Sequence, residues 1–236
     1  MVEILKFTDP NSVSKLKVLV ANLLCKKFVF QSKAAYFLTT AGDIIRLQFT
    51  LKSNFGTTKH VSSREILWNR IIENIELEAN VYEFGVAYGY TTNYFLTRIK
   101  QNIKYHGFDL FTGLPTAWRN LAQGTFSTEG KPPSITDERL TWAIGDISRT
   151  FTSEYKFPAG KQNIFLFDFD LFGPTLHAYQ VCKNANLFVE GSIIYFDEAF
   201  DPEELLIIQN YLFQDVQLDL IGSTWNAVAF RIGKNR

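Results

Sequence analysis

The chain has 236 residues, enough to bury one full core and between one and two domains on length alone. Its 24 Lys and Arg balance 24 Asp and Glu, and no block of five or more like charges interrupts the balance, which argues against an electrostatic nucleic-acid binder. Twenty-two Phe, ten Tyr and four Trp supply an unusually aromatic interior.

The opening residues Met1-Val2-Glu3-Ile4-Leu5-Lys6 lack the basic and then long apolar stretch of a signal peptide. No run reaches the roughly 18 apolar residues of a membrane span. The expectation is a cytoplasmic protein with neither a membrane nor a nucleic-acid partner. Cys25 and Cys182 form no Cys-x-x-Cys, and His60, His106 and His177 show no ligand spacing, so neither a disulfide framework nor a zinc site is suggested.

In chain order, 13–30 reads as a helix. Ser62-x-x-Glu65 then has the form of a capping box before a Leu67, Ile71, Ile75 stripe, which Trp68 and Ile72 widen. Residues 1–75 are therefore expected to be a helical N-terminal extension, packing over a pocket or against a second subunit of a homodimer. Residues 76–236 form a second domain. There the pattern predicts strand 80–85, helix 90–101, strands 104–109, 141–145 and 163–168, helix 174–187, strand 192–197 and helix 202–213. A last pair, 216–221 and 226–232, is separated by Gly222-Ser223-Thr224 and reads as an antiparallel hairpin.

Ile164 to Phe167 and Ile193 to Phe196 are apolar on both faces, as in central parallel strands covered by helices. The fold class is an α/β open sheet, Rossmann-like and mostly parallel, whose ligands bind beyond the carboxyl ends of the strands. Glu83, Asp109, Asp146, Asp168, Asp170 and Asp197 all fall at such ends. The long stretch 110–139, with Trp118 and several Pro and Gly, reads as an ordered lid.

The run Glu83-Phe84-Gly85-Val86-Ala87-Tyr88-Gly89-Tyr90-Thr91-Thr92 reads as a strand breaking into a glycine turn and then a helix. Gly85 and Gly89 would let a ligand approach the backbone, Thr91-Thr92 opens a helix whose free N–H groups can accept a carboxylate, and Glu83 could bond a ligand amine or hydroxyl. Ala87 stands where Gly-x-Gly-x-x-Gly needs its middle glycine, which disfavours a pyrophosphate. Asp109 suits ribose hydroxyls. Asp146 suits an adenine amino group with Ile147 over the ring, and an ordinary helix N-cap explains it about as well.

Asp168, Asp170, Asp197 and Glu198 carry the strongest signal. Two like charges ~4 Å apart at an effective dielectric of ~20 repel by about 4 kcal/mol. Converging carboxylates must protonate, separate or share a cation, and a hard divalent cation answers this best. The competing account is helix capping, notably at Asp201-Pro202-Glu203.

Together with Gly107-Phe108-Asp109-Leu110-Phe111-Thr112-Gly113-Leu114-Pro115, Gly124 to Pro133, Asp168 to Phe172, Phe196-Asp197-Glu198 and Ala227 to Ile232, these stretches resemble class I S-adenosylmethionine-dependent methyltransferases, and within them the macrocin O-methyltransferase-like family. The resemblance runs from about 63 to 232. It implies a seven-stranded sheet with a reversed last hairpin, S-adenosylmethionine as methyl donor, and O-methylation of a small hydroxylated acceptor, a sugar or natural-product hydroxyl. The implied cofactor shell is Glu83, Phe84, Gly85, Gly89, Thr91, Thr92, Asp109, Leu110, Phe111, Asp146, Ile147 and Asp168. Asp168 or Asp170, with Asp197 and Glu198, would hold Mg²⁺, and Asp168 or Asp170 would act as base. The pair here is Asp-Glu where better-known sugar methyltransferases have Asp-Asp, and Phe169 stands in place of a small residue. Phe165 to Asp170 also resembles the nucleophile strand of haloacid dehalogenase-type phosphatases, without their Gly-Thr continuation. A nucleotide-sugar transferase and a non-catalytic S-adenosylmethionine-binding protein are further readings.

Overall fold

Aromatic and β-branched runs become strands where turn and helix signals separate them. A computed structural model, describing residues 33–159 and 162–234, shows β1 (Glu78–Phe84), β2 (Asn102–Asp109), β3 (Leu140–Ile144), β4 (Gln162–Phe167), β5 (Ile193–Phe196), β6 (Leu218–Ser223) and β7 (Val228–Ile232). Each strand end falls within two residues of its predicted place. The strands make one seven-stranded sheet in the order β3-β2-β1-β4-β5-β7-β6. The first five run parallel, and β7 lies antiparallel between β5 and β6. This is the Rossmann-like sheet with a reversed C-terminal hairpin that the sequence predicts. The chain travels outward from β1 to β3 and returns on the other side of β1 as β4, so a switch point lies between β1 and β4, where a crevice opens.

The helices are α1 (Lys33–Phe55), α2 (Arg64–Glu73), α3 (Tyr90–Arg98), α4 (Ile147–Thr150), α5 (Phe172–Asn184), α6 (Pro202–Ile207) and α7 (Phe213–Asp215), with a π-helical turn, Ile208–Leu212, joining the last two. The predicted helix 13–30 lies outside the described residues. No helix among the described residues is long and apolar enough to cross a membrane.

The chain divides into two compact units, Met1–Ile45 and Arg46–Arg236. The predicted boundary at 75 thus falls inside the second unit, because Leu67, Trp68 and Ile71 of α2 are buried in the same core as β1, β4 and β5. The cap of α2 also sits one residue later than the sequence pattern suggests. Ser63, in extended conformation, is the N-cap and its hydroxyl accepts from Ile66 N–H at 3.4 Å.

Strand alternation sends two sets of side chains to opposite faces. On one face Tyr82, Phe84, Phe108, Phe165, Phe167 and Phe196 stack with centroids 5.0–5.4 Å apart, and Phe151 closes the layer 5.0 Å from Phe84. On the other, Val81, Tyr105, Ile164, Leu166, Ile193 and Tyr195 pack with Leu67, Trp68, Ile71 and Phe95. Glu83 shares the parity of Val81, and Asp197 that of Tyr195. Both carboxylates therefore emerge toward α2 and α3, which decides what they can touch.

Candidate active site

Beyond the carboxyl ends of β1 to β5 lies a cavity of ≈ 390 Å³, within the usual small-molecule range of roughly 300–1,000 Å³. The β1–β3 side contributes Gly85, Val86, Ala87, Asp109, Leu110, Asp146 and Ile147; the β4–β5 side contributes Asp168, Phe169, Asp170, Asp197 and Glu198, joined by Arg64 of α2. Gly113, Leu114, Pro115, Trp118 and Phe126 of the 110–139 stretch line it as well. That stretch is ordered by its own backbone: Phe111 C=O accepts from Thr128 and Gly130, and Leu114 N–H donates to Thr125 C=O at 2.9 Å.

Asp109 ties the glycine turn together. One carboxylate oxygen accepts from the N–H groups of Val86 and Ala87 at 2.7 and 2.8 Å, and the other from Phe111 N–H at 2.6 Å. A carboxylate has roughly four acceptor positions, so about one is left for a ligand. Asp146 is the N-cap of α4, accepting from Ser148 N–H at 2.8 Å and Ser148 O–H at 2.6 Å, and these bonds hold its carboxyl below the usual range. It lines the cavity from an exposed position, and buried Ile147 supplies apolar surface beside it.

Several residues of the predicted cofactor shell stand elsewhere. Glu83 is 1% exposed and does not line the cavity; it accepts from Thr92 O–H at 2.5 Å and Tyr105 O–H at 2.8 Å. Burial pushes its pKa up to about 8 despite those bonds. It braces α3 against β1 and β2 rather than reaching a ligand. Thr92 is used by that bond, and Thr91 does not reach the cavity wall. Phe84 and Phe111 are buried in aromatic packing, Phe111 against Trp142. Gly89, the left-handed N-cap of α3, faces protein instead of ligand: a Cβ there would come within 2.8 Å of Pro133 and 2.9 Å of Ile135. Gly85 does line the cavity, yet its missing Cβ makes room for the backbone of Asp168.

Asp168, Asp170, Asp197 and Glu198 together line the acidic side of the cavity. Asp170 adopts φ +62°, a left-handed conformation that Asp tolerates. Burial, then the charges of Asp197 and Asp201, pushes its pKa up to about 7. Burial and then Asp197 and Asp170 push Glu198 up to about 9. Asp168 is raised well above the carboxylate range by burial and then by Asp197 and Asp170. Asp197 is also raised by burial, although Arg64 and Tyr195 pull it back. Arg64 donates to one Asp197 oxygen at 2.5 Å, and Tyr195 O–H donates to the other. Asp201 caps α6 through Glu203 N–H at 2.9 Å and pairs with Arg119 at 2.7 Å, so the capping account holds for that residue.

The Mg²⁺ expectation finds no support. Among the described residues no three His, Cys, Asp or Glu side chains are arranged to hold a metal ion. Asp197, which that set needs, already has a donor on each oxygen. Sequence reasoning missed Arg64, whose partner lies 133 positions away and leaves no local signal.

Behind these acids, Glu204 is 1% exposed and neither carboxylate oxygen has a hydrogen-bond partner. Burial, then Glu198 and Asp170, raises its pKa well above the usual range. A carboxyl raised on folding keeps a proton the unfolded chain releases, so its contribution to stability falls as pH climbs from the usual Glu value of ~4.3 toward the folded one. Glu204→Gln is expected to melt with the parent near pH 4 and above it at pH 8. A gain of about 2–4 °C corresponds to each ~1 kcal/mol in a chain of this size. A lower melting temperature than the parent at pH 8 would show that the ionised form is stabilised by a partner.

No protein-family model matches the sequence, and no curated protein matches it significantly. Solved structures similar to it include the O-methyltransferase NovP, at 12% identity over 84% of this chain and 100% of that one, with TM-score 0.48. An rRNA methylase from Streptococcus thermophilus is 17% identical over 74% of this chain and 99% of its own, with TM-score 0.42. An O-methyltransferase from Bacillus cereus in complex with SAH is 9% identical over 92% and 97%, with TM-score 0.42. Likeness at this level carries no functional weight; the roles of the residues rest on their own geometry.

Proposed function

We propose that the chain is an S-adenosylmethionine-dependent methyltransferase acting on a hydroxyl of a small acceptor, a sugar or natural-product hydroxyl, with Asp170 as base. One observation carries this reading: a single cavity across the switch point joins the Asp109-tied turn to the acidic ends of β4 and β5. S-adenosylmethionine supplies a methyl carbon made electrophilic by its sulfonium. The remaining acceptor position of Asp109 suits a ribose hydroxyl, Ile147 and Leu110 offer apolar contact for the base, and the Gly85–Ala87 backbone borders the amino-acid end.

What the chain must add is alignment of an acceptor oxygen and removal of its proton. With a pKa of about 7, Asp170 is roughly half ionised at neutral pH, which suits a general base. Glu198, at about 9, holds its proton there and can donate a hydrogen bond to the acceptor. Trp118 and Phe126 give flat walls for a ring. Arg64 pairs with Asp197 and favours its charged form against the effect of burial.

Calorimetric titration with S-adenosylmethionine and S-adenosylhomocysteine tests the reading. Saturable binding of both by the parent chain is expected. Asp109→Ala should weaken binding at least about tenfold, or ~1.4 kcal/mol, with its far-ultraviolet dichroism retained. A parent chain that binds neither compound is not a methyltransferase of this kind.

A further inference from the structure

We infer that the Arg64 guanidinium, seated on Asp197, keeps a divalent cation out of this acid cluster, so that its removal raises the cluster's affinity for one. The inference concerns the cavity of the proposed function, but it rests on an ion pair within the chain and not on the identity of any cofactor.

Asp168, Asp170, Asp197 and Glu198 line one cavity, and carboxylates so placed must protonate, separate or share a cation. The structure contains the cation. The Arg64 guanidinium lies 2.5 Å from Asp197, whose side chain is 3% exposed, and it is drawn toward Asp168 as well. Burial by itself would lower the pKa of Arg64, but Asp197, Tyr195 and Asp168 more than reverse this, so the group is permanently charged.

The Arg64 side chain is 40% exposed, but the pair is anchored at its buried Asp197 end. Arg64 is the first residue of α2, directly after the Ser63 cap, and its guanidinium lies 5.6 Å from the ring of Trp68, a residue buried in the core. Asn226 fixes the Asp197 backbone through its carbonyl at 3.0 Å. A hard divalent ion such as Mg²⁺ requires oxygen ligands at about 2.0–2.1 Å in near-octahedral array. Arg64 and Tyr195 take two of the roughly four acceptor positions of Asp197, one on each oxygen, and a metal beside an undisplaced guanidinium would meet like charge.

The test is Mn²⁺ titration of the full chain by calorimetry and electron paramagnetic resonance, with and without S-adenosylhomocysteine. The parent should take up no stoichiometric Mn²⁺. Arg64→Ala should bind one equivalent at least about tenfold more tightly than the parent, and Arg64→Ala with Asp197→Asn should lose the gain. Arg64→Gln, which keeps a hydrogen-bond donor for Asp197 without the charge, serves if the Ala variant does not fold, and should also gain Mn²⁺ affinity. One equivalent bound by the parent as tightly as by the variants overturns the inference. So does a folded Arg64 variant with no gain. S-adenosylhomocysteine binding in the same samples separates the two proposals: its absence removes the methyltransferase reading, while the Mn²⁺ result judges Arg64 on its own.

Discussion

Asp170→Asn is expected to slow methyl transfer by about 10²–10⁴-fold, the range for loss of a positioned general base, while cofactor binding is retained. The parent rate should rise with pH and level off above about 7, where Asp170 becomes fully ionised. The variant should lack that limb. Its stability should move the other way. The folded pKa of about 7 stands above the ordinary Asp value of ~3.9, so the ionisable carboxyl withdraws stability as pH rises between those values. An amide there has no charge to bury, and Asp170→Asn should melt above the parent at pH 8 and close to it at pH 4. An inactive variant that is more stable than its parent separates a catalytic loss from a folding defect. Retention of more than about a tenth of the activity, or an unchanged pH limb, removes Asp170 from the role.

The sheet was legible because its signals are local. Ile164 to Phe167 and Ile193 to Phe196 are apolar on both faces, and only a covered central strand satisfies that pattern. The acids at the strand ends were legible as well, since a strand that stops at Asp168 or Asp197 must place that residue at the rim. What each carboxylate touches was not legible. Glu83 and Asp109 end neighbouring parallel strands and look equivalent in sequence. Glu83 is occupied by Thr92 of α3 and Tyr105 of β2; Asp109 reaches sideways to the turn and still borders the cavity. Gly89 looked like a point of ligand approach because a left-handed glycine before a helix is compatible with either a ligand or a crossing chain. Here Pro133 and Ile135 of the 110–139 stretch fill the space. Arg64 lies furthest from view: nothing around Ser63 announces a partner at the end of β5.

Gly85→Ala is expected to be the most damaging single methyl group in the cavity wall. Gly85 has φ +96°, a conformation an alanine adopts only under strain. Its added Cβ would stand 2.0 Å from the Asp168 carbonyl oxygen and 2.6 Å from the carbonyl carbon. These are backbone atoms, so no rotamer change relieves the contact. The ends of β1 and β4 must part, against the hydrogen bonds from Asp168 N–H to Phe84 C=O at 2.8 Å and from Gly85 N–H to Phe108 C=O at 3.0 Å. Strain and overpacking together place the loss at about 3 kcal/mol or more, a fall of roughly 6–12 °C in melting temperature. The functional loss should exceed what that fall explains. The same displacement moves Asp168 and Asp170 and pulls Val86 and Ala87 from Asp109, so cofactor binding and transfer fail together even below the melting transition. Gly173→Ala is the matched control: it lies in α5, nothing stands within 4 Å of its added Cβ, and alanine favours a helix by up to about 1 kcal/mol. A Gly85→Ala protein that melts and binds like Gly173→Ala would mean that the ends of β1 and β4 are not in the contact that brings the two halves of the cavity together.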